Sequence, residues 1–108
     1  MVRKKVKVLW DNEAKKSLQH IYYYIKKRES ATRAIEVRKK IVELAKTLSA
    51  FPEKFAEEPN LKNEKGNYRF KVIWHYKVIY EVTEKFIYVL DIFHTSRDPQ
   101  EISKLKDD

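Results

Sequence analysis

The run Asp91-Ile92-Phe93-His94-Thr95-Ser96-Arg97-Asp98-Pro99 holds the residue types best suited to chemistry. An apolar stretch ends on His94, and Arg97 follows three residues later. A free imidazole titrates near about pH 6.5, so it can give or take a proton at neutrality. A guanidinium keeps its proton and presents a planar fork to anions. His94-x-x-Arg97 is therefore either an acid–base group beside its anion-binding partner or the polar fringe of a strand end. On the second reading His94 bonds to backbone and Arg97 pairs with Asp98 or Glu101. Arg69, on the earlier run Tyr68–Trp74, is a third candidate; its structural alternative is a pair with Asp91 or Glu81.

The elements that must position these groups are legible in the pattern. Val6, Val8 and Trp10 alternate with polar residues, which predicts a half-buried strand. Asp11 is placed to cap a helix, with Glu13 in the first turn, where the helix dipole favours negative charge. Ala14, Leu18, Ile21 and Ile25 then form one helical face, and Lys26, Lys27 and Arg28 close it. Ser30 can cap a second helix with the stripe Ala34, Val37, Ile41, Leu44 and Leu48, ended by Phe51 and Pro52. So short a link predicts an antiparallel hairpin. Tyr22, Tyr23 and Tyr24 point in three directions around the first helix, so they cannot all be core. Residues 53–66 lack periodicity and read as a loop.

Three strands follow. Tyr68, Phe70, Val72 and Trp74 alternate with Arg69 and Lys71. Tyr76, Val78, Tyr80 and Val82 alternate next, and residues 86–94 are apolar on both faces, as a central strand requires. After Pro99 a short helix through Leu105 is expected. The order predicts a two-layer α+β domain covering residues 1–108: an N-terminal strand, then an antiparallel helical hairpin packed on one face of a sheet that three C-terminal antiparallel strands complete. The opposite face is expected to carry Arg69, Lys71, Ile79, Ile87, Val89 and Phe93, a mixed apolar and basic surface that calls for a partner. In this reading Tyr88, Leu90 and Ile92 face the hairpin.

Composition narrows the chemistry. The 108 residues include one Gly and no Cys. That excludes glycine-rich phosphate loops, nucleophile elbows, disulfides and thiolate metal sites. The three His lie on separate elements and no carboxylates show ligand spacing, so neither metal nor cofactor is expected. There is no apolar run of about 18 residues and no signal-peptide pattern, which suggests a cytoplasmic protein without membrane contact. The net charge is +8, and residues 1–50 hold 14 Lys and Arg against 5 Asp and Glu, a local excess of +9. A basic half suggests an acidic partner.

The chain resembles the RelE/ParE superfamily of type II toxin–antitoxin toxins, and most closely the ParE-like branch. The resemblance rests on Trp10, Ala14, the IYYYI segment at 21–25, Ala34, Ile41, LSAFP at 48–52, YRF at 68–70, YKVIYEV at 76–82 and His94-x-x-Arg97. It spans roughly residues 6 to 99. It implies a toxin of the plasmid-stabilisation kind, silenced by a cognate antitoxin in a hetero-oligomer. ParE-like members are associated with inhibition of DNA gyrase. RelE-like members instead cleave mRNA on the ribosome, with basic sheet residues and an aromatic or His acid–base group. Under that alternative Arg69, His94 and Arg97 would be catalytic. Arg69 matches the arginine commonly found at the start of the second strand, and Arg97 the one after the last strand. The aromatic that RelE-like nucleases often carry on the terminal helix is missing, Ser103 standing near its place. A degenerate member that only binds its antitoxin is the third possibility. In the toxin readings Lys71, Ile87, Val89 and Phe93 are the expected partner-binding residues.

Overall fold

Caps and apolar stripes set the first half of the fold. The computed structural model describes residues 6–106, without the side chains of residues 103, 104 and 106; Ser103 as a stand-in for an aromatic therefore lies outside the described side chains. Strand β1, Lys7–Trp10, runs into helix α1, Asn12–Arg28, whose N-cap Asp11 accepts from the Glu13 amide at 3.0 Å. Helix α2, Ala31–Thr47, starts at Ser30, whose Oγ accepts from the Arg33 amide at 3.0 Å. Such caps satisfy amides that lack an intrahelical partner. The two stripes meet: Ala14, Ile25, Ala34, Val37, Ile41 and Ala45 are buried together against Tyr76, Val78, Val89 and Ile92 of the sheet, with Leu18, Ile21 and Leu44 at the margin.

Strands β2, Asn67–Ile73, β3, Tyr76–Val82, and β4, Phe86–His94, complete a four-stranded sheet in the order β1-β4-β3-β2. β1 is parallel to β4 and the other pairs are antiparallel. β4 is central, as its continuous apolar character predicts. The helical hairpin covers one face, so the α+β architecture expected from the element order is the one observed.

The strand faces differ from the expectation. The β3–β4 register runs Ile79↔Asp91 and then Tyr80↔Val89, so Leu90 is an inserted residue, a β-bulge. A bulge resets the two-residue alternation. Ile87 and Val89 face the helical hairpin before it, Ile92 and His94 after it, and Leu90 and Phe93 point the other way. Tyr68 and Phe70 also turn away from the hairpin, whereas Arg69, opposite Tyr80, and Lys71, opposite Val78, share its side.

The second face is not open either. Leu61 from a 3-10 turn at Pro59–Leu61, and Ile102 and Leu105 from a C-terminal 3-10 helix at Pro99–Lys106, cover Ile79, Leu90 and Phe93. Ile87, Val89 and Phe93, expected as an exposed partner-binding patch, are therefore core residues. Lys71 remains exposed at the sheet edge, its Nζ 5.1 Å from the Phe55 ring centroid. Burial of a large apolar side chain is worth about 1.5–3 kcal/mol, which is reason enough for the 59–61 turn and the C-terminal helix to fold over that face.

Candidate functional site

Arg69 is engaged from all sides. Its Nη1 donates to the carbonyls of Phe55 at 2.7 Å and Glu53 at 3.3 Å, and its Nε donates to Asn67 Oδ1 at 3.0 Å. Nη2 lies 3.7 Å from Glu53 and 3.9 Å from Glu57 carboxylate oxygens, and the side chain is 14% exposed. These are the bonds of a staple that ties residues 53–57 to the outer edge of β2, where Glu57 bridges to Arg69. Its partners are not Asp91 or Glu81 but a segment with no periodic signal.

His94 sits at the end of β4 and accepts at Nδ1 from the Ser96 amide at 3.0 Å, with Ser96 Oγ at 2.7 Å. An amide can only donate, so Nδ1 is the acceptor and the neutral ring carries its proton on Nε2. The ring stacks on His75 at 6.1 Å and meets the edge of Tyr76 at 5.4 Å. Together with His20, Ile21, Tyr24, Tyr76 and Ser96 it lines a cleft of about 390 Å³ between α1 and the sheet.

Arg97 belongs to the other side of the strand end. Its guanidinium lies 4.2 Å over the Phe93 ring and donates from Nε and Nη2 to Glu101 Oε2 at 3.2 and 2.7 Å. It lines a separate cavity of about 420 Å³ with Asp11, Glu13, Leu90, Asp91, Glu101 and Leu105. The three candidates do not converge. His94 pairs with Tyr76, and Arg69 with Tyr80, four residues along β3, or about 13 Å at 3.3 Å per residue.

Asp91 is a buried carboxyl on the bulge that sequence reading did not single out for chemistry. Ser17 Oγ donates to its Oδ1 at 2.5 Å and the Ile92 amide at 2.8 Å. Burial pushes its pKa up, against the Ser17 and Ile92 hydrogen bonds and the Arg97 charge, while Glu13 adds to the rise. The folded state then holds this proton more tightly than the unfolded chain does. Stability from Asp91 is fully present below the ordinary carboxylate range and is lost as pH rises through the raised folded value. Asp91→Asn, which keeps an oxygen for Ser17 and Ile92, should melt higher than the parent at pH 7. The gain should vanish on acidification below about pH 3.9, the unperturbed Asp value. Paired thermal melts across pH check this, and a constant difference at all pH values would rule it out.

The aromatic surface is the other feature that sequence reading underweighted. Tyr22 packs at the core margin, while Tyr23, Tyr24, Phe51 and Trp74 are exposed. Arginines lie over three rings: Arg28 over Tyr24 at 5.1 Å, Arg33 over Trp74 at 4.6 Å and Arg38 over Tyr22 at 4.5 Å. Trp74, expected on a buried strand face, instead occupies the β2–β3 turn at φ 53°. The available signals were three tyrosines in a row on a basic helix and a tryptophan directly before a strand reversal.

A family model described as ParE toxin of type II toxin–antitoxin system, parDE, matches residues 8–99. No curated protein matches the chain. Among solved structures, the chain is similar to one described as the chromosomal ParDE TA system from P. aeruginosa. The TM-score is 0.70 at 23% identity, covering 83% of this chain and 96% of that one. That likeness shows the fold, two helices against a four-stranded mixed sheet, and the family match extends over β1 through the end of β4. The chain belongs to the ParE toxin family of type II toxin–antitoxin systems.

Proposed function

We propose that the protein arrests bacterial growth by binding DNA gyrase in the cytoplasm, and that a cognate antitoxin neutralises it. The observation that carries this choice over mRNA cleavage is the separation of Arg69, His94 and Arg97. Cleavage through a ribose hydroxyl needs an acid, a base and phosphate-binding cations within hydrogen-bond reach of one substrate. Here Arg69 is consumed by the 53–57 segment, and His94 and Arg97 line different cavities. A protein that works by binding has no need of such convergence.

With Ile87, Val89 and Phe93 buried, the antitoxin needs another surface. The groove between the two helices fits. Trp10, Leu18, Tyr22, Tyr23 and Val42 line it, and Lys15 and Arg38 add positive charge. Apolar burial there would supply lasting affinity, and the basic excess of residues 1–50 would speed encounter with an acidic antitoxin.

Induction of the chain alone should stop growth, and co-expression of a short neighbouring gene should restore it. Purified protein should inhibit supercoiling or trap cleaved DNA, while mRNA in arrested cells stays intact. Messages cut within codons, with His94→Ala slowing the cutting by roughly 10²–10⁴-fold, would replace this reading with the nuclease. Normal growth at confirmed soluble expression would leave only a non-toxic antitoxin binder.

A further inference from the structure

All three histidines of the chain gather at one end of the molecule. His20 and His94 line the cleft between α1 and the sheet, and His75 stacks on His94. The walls are flat rings, supplied by Tyr24, Tyr76 and the imidazoles. Tyr76 is nine-tenths buried, and its ring forms part of the cleft wall. No described residue accepts from His94 Nε2. A volume of about 390 Å³ falls in the range of small-ligand sites. It suits one planar heterocycle with donors and acceptors on its edge.

The surroundings of the cleft extend this match. Tyr24 is 57% exposed beneath the Arg28 guanidinium, and Trp74 is 43% exposed beneath Arg33. Arg33 also pairs with Glu36 at 2.9 Å, so its charge is already engaged. On the Tyr24 side of α1, Lys27 and Arg28 form no ion pair among the described residues. Trp74 is the sole non-glycine at positive φ among the described residues. A bulky side chain is disfavoured in that region, where Asn or Gly is at ease. Backbone strain that persists under an exposed ring points to use of the ring.

We infer that this end of the molecule binds single-stranded nucleic acid. One base enters the cleft, a neighbouring base stacks on Trp74, and Lys27 and Arg28, on the Tyr24 side of α1, meet the phosphates. Stacking on aromatic rings beside free cations is the common means of holding single strands. An acidic peptide would use the cations but would leave the ring-walled cleft without a role. The site is independent of the gyrase reading, because it requires no particular cellular target.

Fluorescence anisotropy with labelled ten-nucleotide strands of deoxythymidine and of uridine tests this on the full chain. A labelled oligoglutamate peptide and a duplex of the same length serve as competitors. At least one single strand should bind, and the two arms tell whether it is DNA or RNA. The duplex should compete poorly, and log affinity should fall with log salt by about 0.7 for each phosphate held. Trp74→Asn and Tyr24→Ala should each weaken binding roughly 5- to 100-fold, the loss of one stacked base. Phe51→Ala removes an exposed ring elsewhere and should bind like the parent. Both site variants alter exposed positions, and melting curves confirm that they fold. Absence of binding by either strand would overturn the proposal. So would folded Trp74→Asn and Tyr24→Ala that bind as tightly as the parent, or oligoglutamate that binds where strands do not.

Discussion

Phe93→Asp should yield no folded protein. Phe93 is 2% exposed and packs with Leu61, Tyr68, Ile79, Leu90 and Ile102. Truncating a buried Phe to Ala alone costs about 3–5 kcal/mol, against a typical domain stability of about 5–15 kcal/mol. Asp adds the desolvation of a carboxylate to that loss. Lys77, opposite Phe93 across the sheet, already holds Glu58 at 2.6 Å, and the Arg97 guanidinium, 4.2 Å over the ring, already holds Glu101 at 2.7 Å. The new carboxylate would have to compete for either from within an apolar cluster. Phe93→Leu, which keeps the site apolar, should fold with a modest loss. Soluble yield and circular dichroism melts of the two variants decide the matter. A Phe93→Asp protein melting within a few degrees of the parent would mean that the C-terminal 3-10 helix does not cover this face.

That prediction reverses what the sequence pattern alone suggests, and the reason is local. Alternation tells which residues of a strand share a face only while the register is unbroken. The bulge at Leu90 breaks it within β4, so a face assigned from Ile92 is wrong for Ile87 and Val89. The strand is apolar on both faces, which removes the contrast that would have exposed the error. Of the residues that cover the second face, Leu61 sits on a three-residue 3-10 turn too short to show a period, and Ile102 sits on the short helix expected after Pro99, whose docking place no local pattern gives. The helices were legible because each carries a cap, a stripe and a basic last turn, and those signals agree.

The candidate site was legible only in part. That His94 ends a strand and bonds to backbone, and that Arg97 pairs with Glu101, follow from spacings of two and four residues. Their placement on opposite sides of the strand end, and the capture of Arg69 by residues 53–57, depend on register and loop path. No short-range pattern encodes either. The cleft at His94 is assembled from α1, β3 and β4, so its tyrosines and histidines look unrelated along the chain.

Lys77→Met should be the most damaging single substitution at a charged residue. Lys77 Nζ lies 2.6 Å from Glu58 Oε2, and the Glu58 side chain is 0% exposed. Oε1 is satisfied by the Asn60 amide at 3.1 Å and its Nδ2 at 2.8 Å. Oε2 has no partner in hydrogen-bond geometry and depends on the Lys77 charge. The pair fastens the 3-10 turn at Pro59–Leu61 to β3, next to the cluster containing Leu61 and Phe93. Removing one partner of a buried pair leaves an uncompensated charge, at a cost of about 3–5 kcal/mol. At about 4–8 °C per kcal/mol for a domain of this size, the melting temperature should fall by tens of degrees. Lys77 also lies 4.2 Å over the Phe70 ring, so part of the loss would come from packing. The double variant Glu58→Gln/Lys77→Met separates the two contributions. Gln keeps the acceptor for Asn60 and removes the stranded charge, so the double should recover most of the stability. Denaturant titrations of both singles and the double measure the coupling. A double no more stable than Lys77→Met would assign the loss to packing on Phe70, and a cost below about 1 kcal/mol, the range of exposed pairs, would show that Glu58 reaches solvent.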